Sequence, residues 1–137
     1  MKPEDCIFFN LAKANQAGTR FWGEKVSEYN VTAVQAMVVN FLHEGDRITA
    51  SRLGKATGLD SATLTGILDR LENADLVRRE PHPDDRRAIQ VFLTARGKDI
   101  AARTHALMAE ANEEFLDGLS PSEREELRRL LSKVRIP

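Results

Sequence analysis

The chain has 137 residues with a formal net charge of −1, from 20 Lys and Arg against 21 Asp and Glu, and it holds one cysteine and three histidines. That length suits one small domain, the near-balanced charge excludes a broadly cationic surface, and a lone cysteine excludes an internal disulfide and fits a reducing compartment. No stretch approaches the eighteen or so apolar residues of a membrane span, and the opening MKPEDC lacks the basic-then-apolar order of a signal peptide, so a cytoplasmic protein is expected.

In the opening segment, Ile7, Phe8, Leu11, Ala14, Phe21, Trp22 and Val26 recur at roughly helical spacing, and Pro3 suits a first helical turn. Further on, ITASRLGKATG reads as a short helix with Thr49 as its cap, Ala50, Leu53 and Ala56 facing inward, and Gly58 turning the chain. The next helix, 60–74, places Leu64, Ile67, Leu68 and Leu71 on one stripe and Ser61, Thr63, Thr65, Gly66, Asp69 and Arg70 opposite. Asp60 or Ser61 caps its start. Two helices joined by such a glycine-containing turn suit a helix-turn-helix, whose second helix enters the DNA major groove.

Leu76 to Arg79 and Ala88 to Leu93 then read as strands, the second alternating Ile89, Val91 and Leu93 on one face. Between them EPHPDDRR is expected to be a hairpin tip, because Pro81 and Pro83 lack a ladder donor. A closing helix carries Ala101, Ala102, Leu107, Met108, Ala111, Phe115 and Leu116. After a Leu-Ser-Pro break a last one carries Leu127, Leu130, Leu131 and Val134. The expected fold is mainly α with a small β-hairpin: a winged helix-turn-helix lobe over 31–97 within one domain of 1–137. Apolar helices over 3–28 and 95–135, too apolar to stand alone, flank it as dimerisation helices.

Asp85-Arg86-Arg87 followed by Leu93-Thr94-Ala95-Arg96-Gly97 matches a wing signature, Asp-x-Arg then Leu-Thr-x-x-Gly. Together with a Val-Thr-Ala-Val-Gln helix start at Val31 to Gln35 and the order of elements along the whole chain, it resembles the MarR (multiple antibiotic resistance regulator) family of bacterial transcription factors. The resemblance implies a homodimeric regulator of double-stranded DNA, a repressor seated on an inverted-repeat operator and released by a small ligand or stress signal. It implies that Arg87 reaches toward the minor groove or its phosphates, where a narrow groove concentrates negative potential. Asp85 would bond back to orient the wing, and Arg86 would add a backbone contact. The family usually has Gly where Asp75 stands; Asp tolerates the left-handed conformation, so the turn is expected to survive.

The expected DNA interface is Thr49, Arg52, Ser61, Ala62, Thr63, Thr65, Arg70, Arg79, His82, Asp85, Arg86 and Arg87. Between Arg47 and Arg87 eight basic residues face seven acidic ones, so DNA binding must rest on where the arginines point rather than on net charge. The expected dimer contacts are Ile7, Phe8 and Leu11 with Phe115, Leu116, Leu127, Leu130 and Leu131. A small apolar or phenolic effector would meet Phe21, Trp22 and Met37, although such residues are far more often plain core.

No cofactor or metal is expected: His43, His82 and His105 lie on separate elements without paired ligand spacing. Asp84 and Asp85 precede Arg86 and Arg87, which would pair with them, so no active site is expected there. Cys6 suggests the family's redox-sensing branch. It falls two residues upstream of the sensing position, occupied by Phe8, and Asn10 and Trp22 stand where that branch has tyrosines. Glu4 and Asp5 adjoin Cys6, whereas a reactive thiolate needs positive charge nearby, and an incidental small hydrophobe is the preferred role. The near-neutral charge also leaves open a winged-helix protein-interaction module that touches no DNA.

Overall fold

The computed structural model describes residues 1–134. In chain order the elements are α1 (Ile7–Val26), α2 (Ala33–Glu44), β1 (Ile48–Thr49), α3 (Ala50–Thr57), α4 (Ser61–Asn73), β2 (Val77–His82), β3 (Asp85–Leu93), α5 (Ala95–Phe115) and α6 (Pro121–Lys133). The chain forms two compact units, Met1–Leu107 and a second beginning at Met108. The expected 95–135 segment thus runs through both units, and its residue 135 lies outside the described residues.

In the first unit α1 follows a single 3-10 turn at Pro3–Asp5 and buries only Val26 completely. A reciprocal cap starts α2: the Gln35 N–H donates to the Thr32 hydroxyl at 3.2 Å, and the Thr32 N–H donates to the Gln35 side-chain oxygen at 3.0 Å. Helix α2 then buries Ala36, Val38, Val39 and Leu42 against Leu53 of α3, the inner stripe of α4, and Val77, Val91 and Leu93 of the sheet. Burying one such Leu is worth about 2 kcal/mol, so this cluster is what holds the helix-turn-helix in shape.

Thr49 caps α3, accepting from the Arg52 N–H at 3.2 Å, and Gly58 ends it at φ 72°. Ala56, expected inward, is exposed, because the inner side of this eight-residue helix runs from Leu53 to half-buried Thr57, whose hydroxyl donates to the Leu53 carbonyl at 2.8 Å. On α4, the expected stripe of Leu64, Ile67, Leu68 and Leu71 is buried.

The sheet is antiparallel in the order β1-β3-β2. Its strands run further than the prolines suggested. Pro81 sits inside β2 opposite Ile89, and only Pro83 and Asp84 lie between the strands. Pro81 is tolerated because β2 is an edge strand, where a missing N–H faces solvent rather than a neighbour. The pairing jumps from Pro81–Ile89 to His82–Asp85, so Arg86, Arg87 and Ala88 lie out of register with β2. Strand β1 was not expected; its register sets Ile48 against Val91 and Thr49 against Gln90.

The base of the wing is tied by side chains to backbone. Asp75 adopts φ 60°, as its tolerance of the left-handed region allows. The Thr94 hydroxyl donates to the Asp75 carbonyl at 2.6 Å and accepts from the Gly97 N–H at 2.9 Å, while the Thr94 N–H donates to the Leu76 carbonyl at 3.0 Å. A Cβ at Gly97 would fall 1.9 Å from the Leu76 carbonyl oxygen, so no residue with a side chain fits there unmoved. These contacts are the physical content of Leu-Thr-x-x-Gly. On the other side, one carboxylate oxygen of Asp46 accepts from the Leu93 N–H at 2.9 Å and the Arg47 N–H at 3.0 Å.

Two polar contacts join α2 to α5 within this unit. Buried Thr104 donates to the Asn40 side-chain oxygen at 2.8 Å, and the His105 Nε2 lies 2.7 Å from a Glu44 carboxylate oxygen. The rings of His43 and His105, distant in sequence, come to 4.8 Å between centroids. Among the described residues no group of three or more His, Cys, Asp and Glu is arranged to hold a metal ion. In the second unit, Ser120 and Glu123 form a capping box that opens α6. Arg124 pairs with Glu113 and donates to the Leu116 and Leu119 carbonyls, and α6 has no buried residue.

Candidate nucleic-acid interface

Asp60 sets the start of the second helix of the helix-turn-helix. Its Oδ1 accepts from the Thr63 N–H at 2.8 Å and its Oδ2 from the Thr63 hydroxyl at 2.9 Å. These bonds, the backbone one foremost, hold the carboxyl below its ordinary value, so it is a carboxylate at neutral pH. Ser61, Ala62, Thr63, Thr65, Asp69 and Arg70 are exposed on the face opposite the core stripe. The Thr65 hydroxyl donates to the Ser61 carbonyl at 2.8 Å. In α3, Thr49 is half-buried and engaged as the cap, whereas the Arg52 side chain is exposed.

At the wing tip the Asp85 Oδ1 accepts from the Arg87 N–H at 3.0 Å. Asp85 therefore bonds back to the wing, as the resemblance implied, but to the backbone of Arg87 rather than to its guanidinium. The expected pairing of Asp84 and Asp85 with the two arginines does not occur: Arg86 and Arg87 are exposed and have no ion-pair partner among the described residues. The His82 Nδ1 accepts from the Asp84 N–H at 3.1 Å, which closes the turn and leaves Nε2 as the ring's remaining polar atom.

Arg79 is the site residue that the structure reassigns. Its Nη2 meets Asp69 at 2.6 Å and its Nε meets Glu72 at 3.0 Å, with the side chain only 27% exposed. The Asp69 hydrogen bond and then the Glu72 one hold the guanidinium even more firmly in its charged form. Arg79 clamps β2 to α4 instead of facing outward, and Arg78 is similarly taken by Asp75 at 2.6 Å. The near-even charge count is thereby partly sorted in space, although Glu80, Asp84 and Asp85 of the wing are also exposed without ion-pair partners among the described residues. Asp69, Glu72 and Asp75 are spent on Arg78 and Arg79, and Asp60 on a cap, while Arg52, Arg70, Arg86 and Arg87 are exposed without ion-pair partners among the described residues. The clamp partners Asp69 and Glu72 escaped the sequence reading; their spacing on α4 was the available signal.

The expected effector residues Phe21, Trp22 and Met37 are each half-buried on α1 and α2, which pack on each other. Trp22 lies against the core cluster, and the Lys25 ammonium sits 5.4 Å from the Phe21 ring centroid. Of the expected dimer contacts, Ile7, Phe8 and Leu11 on α1 are exposed, with Phe8 at 78%, as are Phe115, Leu130 and Leu131 in the second unit; Leu116 and Leu127 are half-buried. Cys6 is half-buried at the N-cap of α1, and its side chain makes no capping bond.

The sequence model of the MarR family matches residues 29–88, the span from the start of α2 to the out-of-register arginines of the wing. The HTH-type transcriptional regulator MgrA of Staphylococcus aureus is 31% identical over 129 residues, 93% of this chain and 86% of that protein. The HTH-type transcriptional repressor NicR of Pseudomonas putida is 30% identical over 124 residues, 90% of this chain and 78% of that protein. Among solved structures, a cysteine-to-serine mutant of E. coli MarR complexed with operator DNA matches with a TM-score of 0.88 at 30% identity, over 95% of this chain and 94% of that one. The PcaV transcriptional regulator of Streptomyces coelicolor, in complex with its natural ligand, matches with a TM-score of 0.89 at 25% identity, over 98% and 94%. With a helix-turn-helix, a wing whose tip exposes Arg86 and Arg87, and identity at this level along nearly its whole length, the chain belongs to the MarR family of DNA-binding transcriptional regulators.

Proposed function

We propose that this protein is a cytoplasmic homodimeric repressor whose two copies of α4 read successive major grooves of an inverted-repeat operator, with Arg86 and Arg87 of each wing on the flanking minor groove and phosphates. The observation that carries this reading is the pairing of charge: Asp69, Glu72 and Asp75 neutralise Arg78 and Arg79, while Arg52, Arg70, Arg86 and Arg87 on α3, α4 and the wing tip are exposed without ion-pair partners among the described residues. The operator complex of a 30%-identical MarR and the repressor NicR support it. Residues 31–97 act as the DNA-binding lobe. The helices of 3–28 and 95–135 serve dimerisation, since a lone copy leaves Phe8, Ile7 and Leu130 in water.

The ligand-bound PcaV supports control by a small apolar or phenolic molecule, which would contact Phe21, Trp22 and Met37. Such a ligand releases DNA only by binding better to a dimer whose reader helices are wrongly spaced for the operator. The test is selection of bound duplexes from a random library. Enrichment of an inverted repeat with half-sites about one helical turn apart is expected. Absence of any preferred duplex, with only weak salt-sensitive binding, overturns the reading in favour of a protein-interaction module.

A further inference from the structure

The first two turns of α4 carry no Arg, Lys, Asn or Gln: from Ser61 they read Ser-Ala-Thr-Leu-Thr-Gly-Ile-Leu. The side chains that read guanine bidentately, or adenine by a paired amide, are therefore absent from the part of the helix that meets base edges. What stands there is a set of methyl groups and hydroxyls, and the hydroxyl protons of the two threonines are already placed. Thr63 faces a carboxylate, which only accepts, at 2.9 Å. Thr65 faces a main-chain carbonyl, which also only accepts, at 2.8 Å. In both bonds the threonine must be the donor, so each Oγ1 presents lone pairs, beside a methyl group, to anything that approaches.

Gly66 adds a second, independent observation. It lies in the middle of α4, four residues from Ala62 and four from Arg70, on the outward face. A Cβ there would meet nothing within 4 Å, so no packing inside the chain demands glycine. Glycine in a helix interior costs helix stability relative to alanine. The chain itself therefore gives no reason for glycine at this position.

Resting on the DNA-binding reading above, we propose that the first two turns of α4 read A·T pairs, through thymine methyls and adenine amino groups, with Gly66 letting the helix backbone lie close in the groove. An A·T pair offers the thymine methyl and, beyond thymine O4, the adenine amino donor, partners for the methyl groups and for the acceptor oxygens of these turns. A G·C pair offers one amino donor and two acceptors, as A·T does, but no methyl group, so the preference for A·T rests on apolar contact of Ala62 and the threonine methyls with thymine methyls. Arg70, one turn further on and free of ion-pair partners among the described residues, takes a phosphate.

The test starts from the operator that the random library yields and titrates the whole protein against modified duplexes. Replacing each thymine under α4 by deoxyuridine removes only the methyl group, and is expected to weaken binding by about three- to tenfold at the contacted positions. Replacing guanines of the same half-site by 7-deazaguanine is expected to change affinity less than about twofold. Gly66→Ala is expected to raise Tm by about 3 °C while weakening operator binding by about tenfold or more, a pairing that misfolding cannot produce. A specific operator that is insensitive to deoxyuridine and sensitive to 7-deazaguanine overturns the proposal while leaving the parent reading intact, as does Gly66→Ala with unchanged affinity. Absence of any preferred operator overturns both.

Discussion

At the base of the wing, Thr94, Asp46 and Gly97 lock the strand ends to neighbouring backbone, and Arg79 is held by two carboxylates of α4. At the tip, a few residues further along the same hairpin, the pairing jumps out of register and Arg86 and Arg87 extend without ion-pair partners among the described residues. Identical side-chain chemistry thus does opposite work in one motif. A guanidinium with partners on an adjacent helix fixes an angle, and one without them keeps its charge for a phosphate. The base sets where the tip is, and substitutions in the two regions should separate stability from DNA affinity.

The largest effect is expected for Gly97→Ala, whose new methyl group must displace the Leu76 carbonyl. A loss of about 3 kcal/mol in urea unfolding is predicted, and a loss below 1 kcal/mol would mean that α5 starts with slack. Next comes Thr94→Val, which leaves the Asp75 carbonyl and the Gly97 N–H without their partner, at about 1–2 kcal/mol by the same measurement. At the tip, Arg87→Ala is predicted to leave the urea midpoint unchanged while weakening operator binding about tenfold and flattening its salt dependence by roughly one phosphate contact. Equal loss of stability and affinity would erase the distinction between base and tip.

Arg79→Ala is expected to cost about 1 kcal/mol of stability, modest because Asp69 and Glu72 are partly in water. It should also weaken DNA binding, since two carboxylates lose their counter-ion on the reader helix. The smallest effect concerns Asp60, whose carboxyl is held below the usual value by the Thr63 N–H and hydroxyl. Its cap contributes fully above about pH 5 and is lost as the pH falls through the depressed folded value. The Tm difference between wild type and Asp60→Ala should therefore be widest near neutrality and shrink in acid; a difference that grows in acid would contradict the cap.

Much of this architecture was legible in the residues. Leu64, Ile67, Leu68 and Leu71 placed α4 and its buried face, because a 3.6-residue period leaves few alternatives. Asp75 was legible as a left-handed turn through the family resemblance, which sets Gly there, and Asp tolerates that conformation, whereas the left-handed Asn30 and Arg47 were not foreseen. Strand β1 was not, because two residues acquire strand character only by pairing with β3 more than forty residues away. The length of the wing strands was misjudged at Pro81, since sequence does not say which strand will be an edge. Arg79 was placed at the interface because a sequence counts cations without showing their partners. The approach of His43 to His105 depends on how α2 and α5 pack, which no spacing within either helix encodes.

The edges of the sheet have a consequence for how copies of the protein meet. Central β3 is flanked on one side by β2, reading Val-Arg-Arg-Glu-Pro-His, and on the other by the two-residue β1, which covers only Gln90 and Val91. A short strand on one edge, and charges with a proline on the other, give an incoming strand little to pair with. Strand addition along β2 is thereby disfavoured, and crowding along DNA at high occupancy gives that edge little with which to seed sheet-to-sheet aggregation.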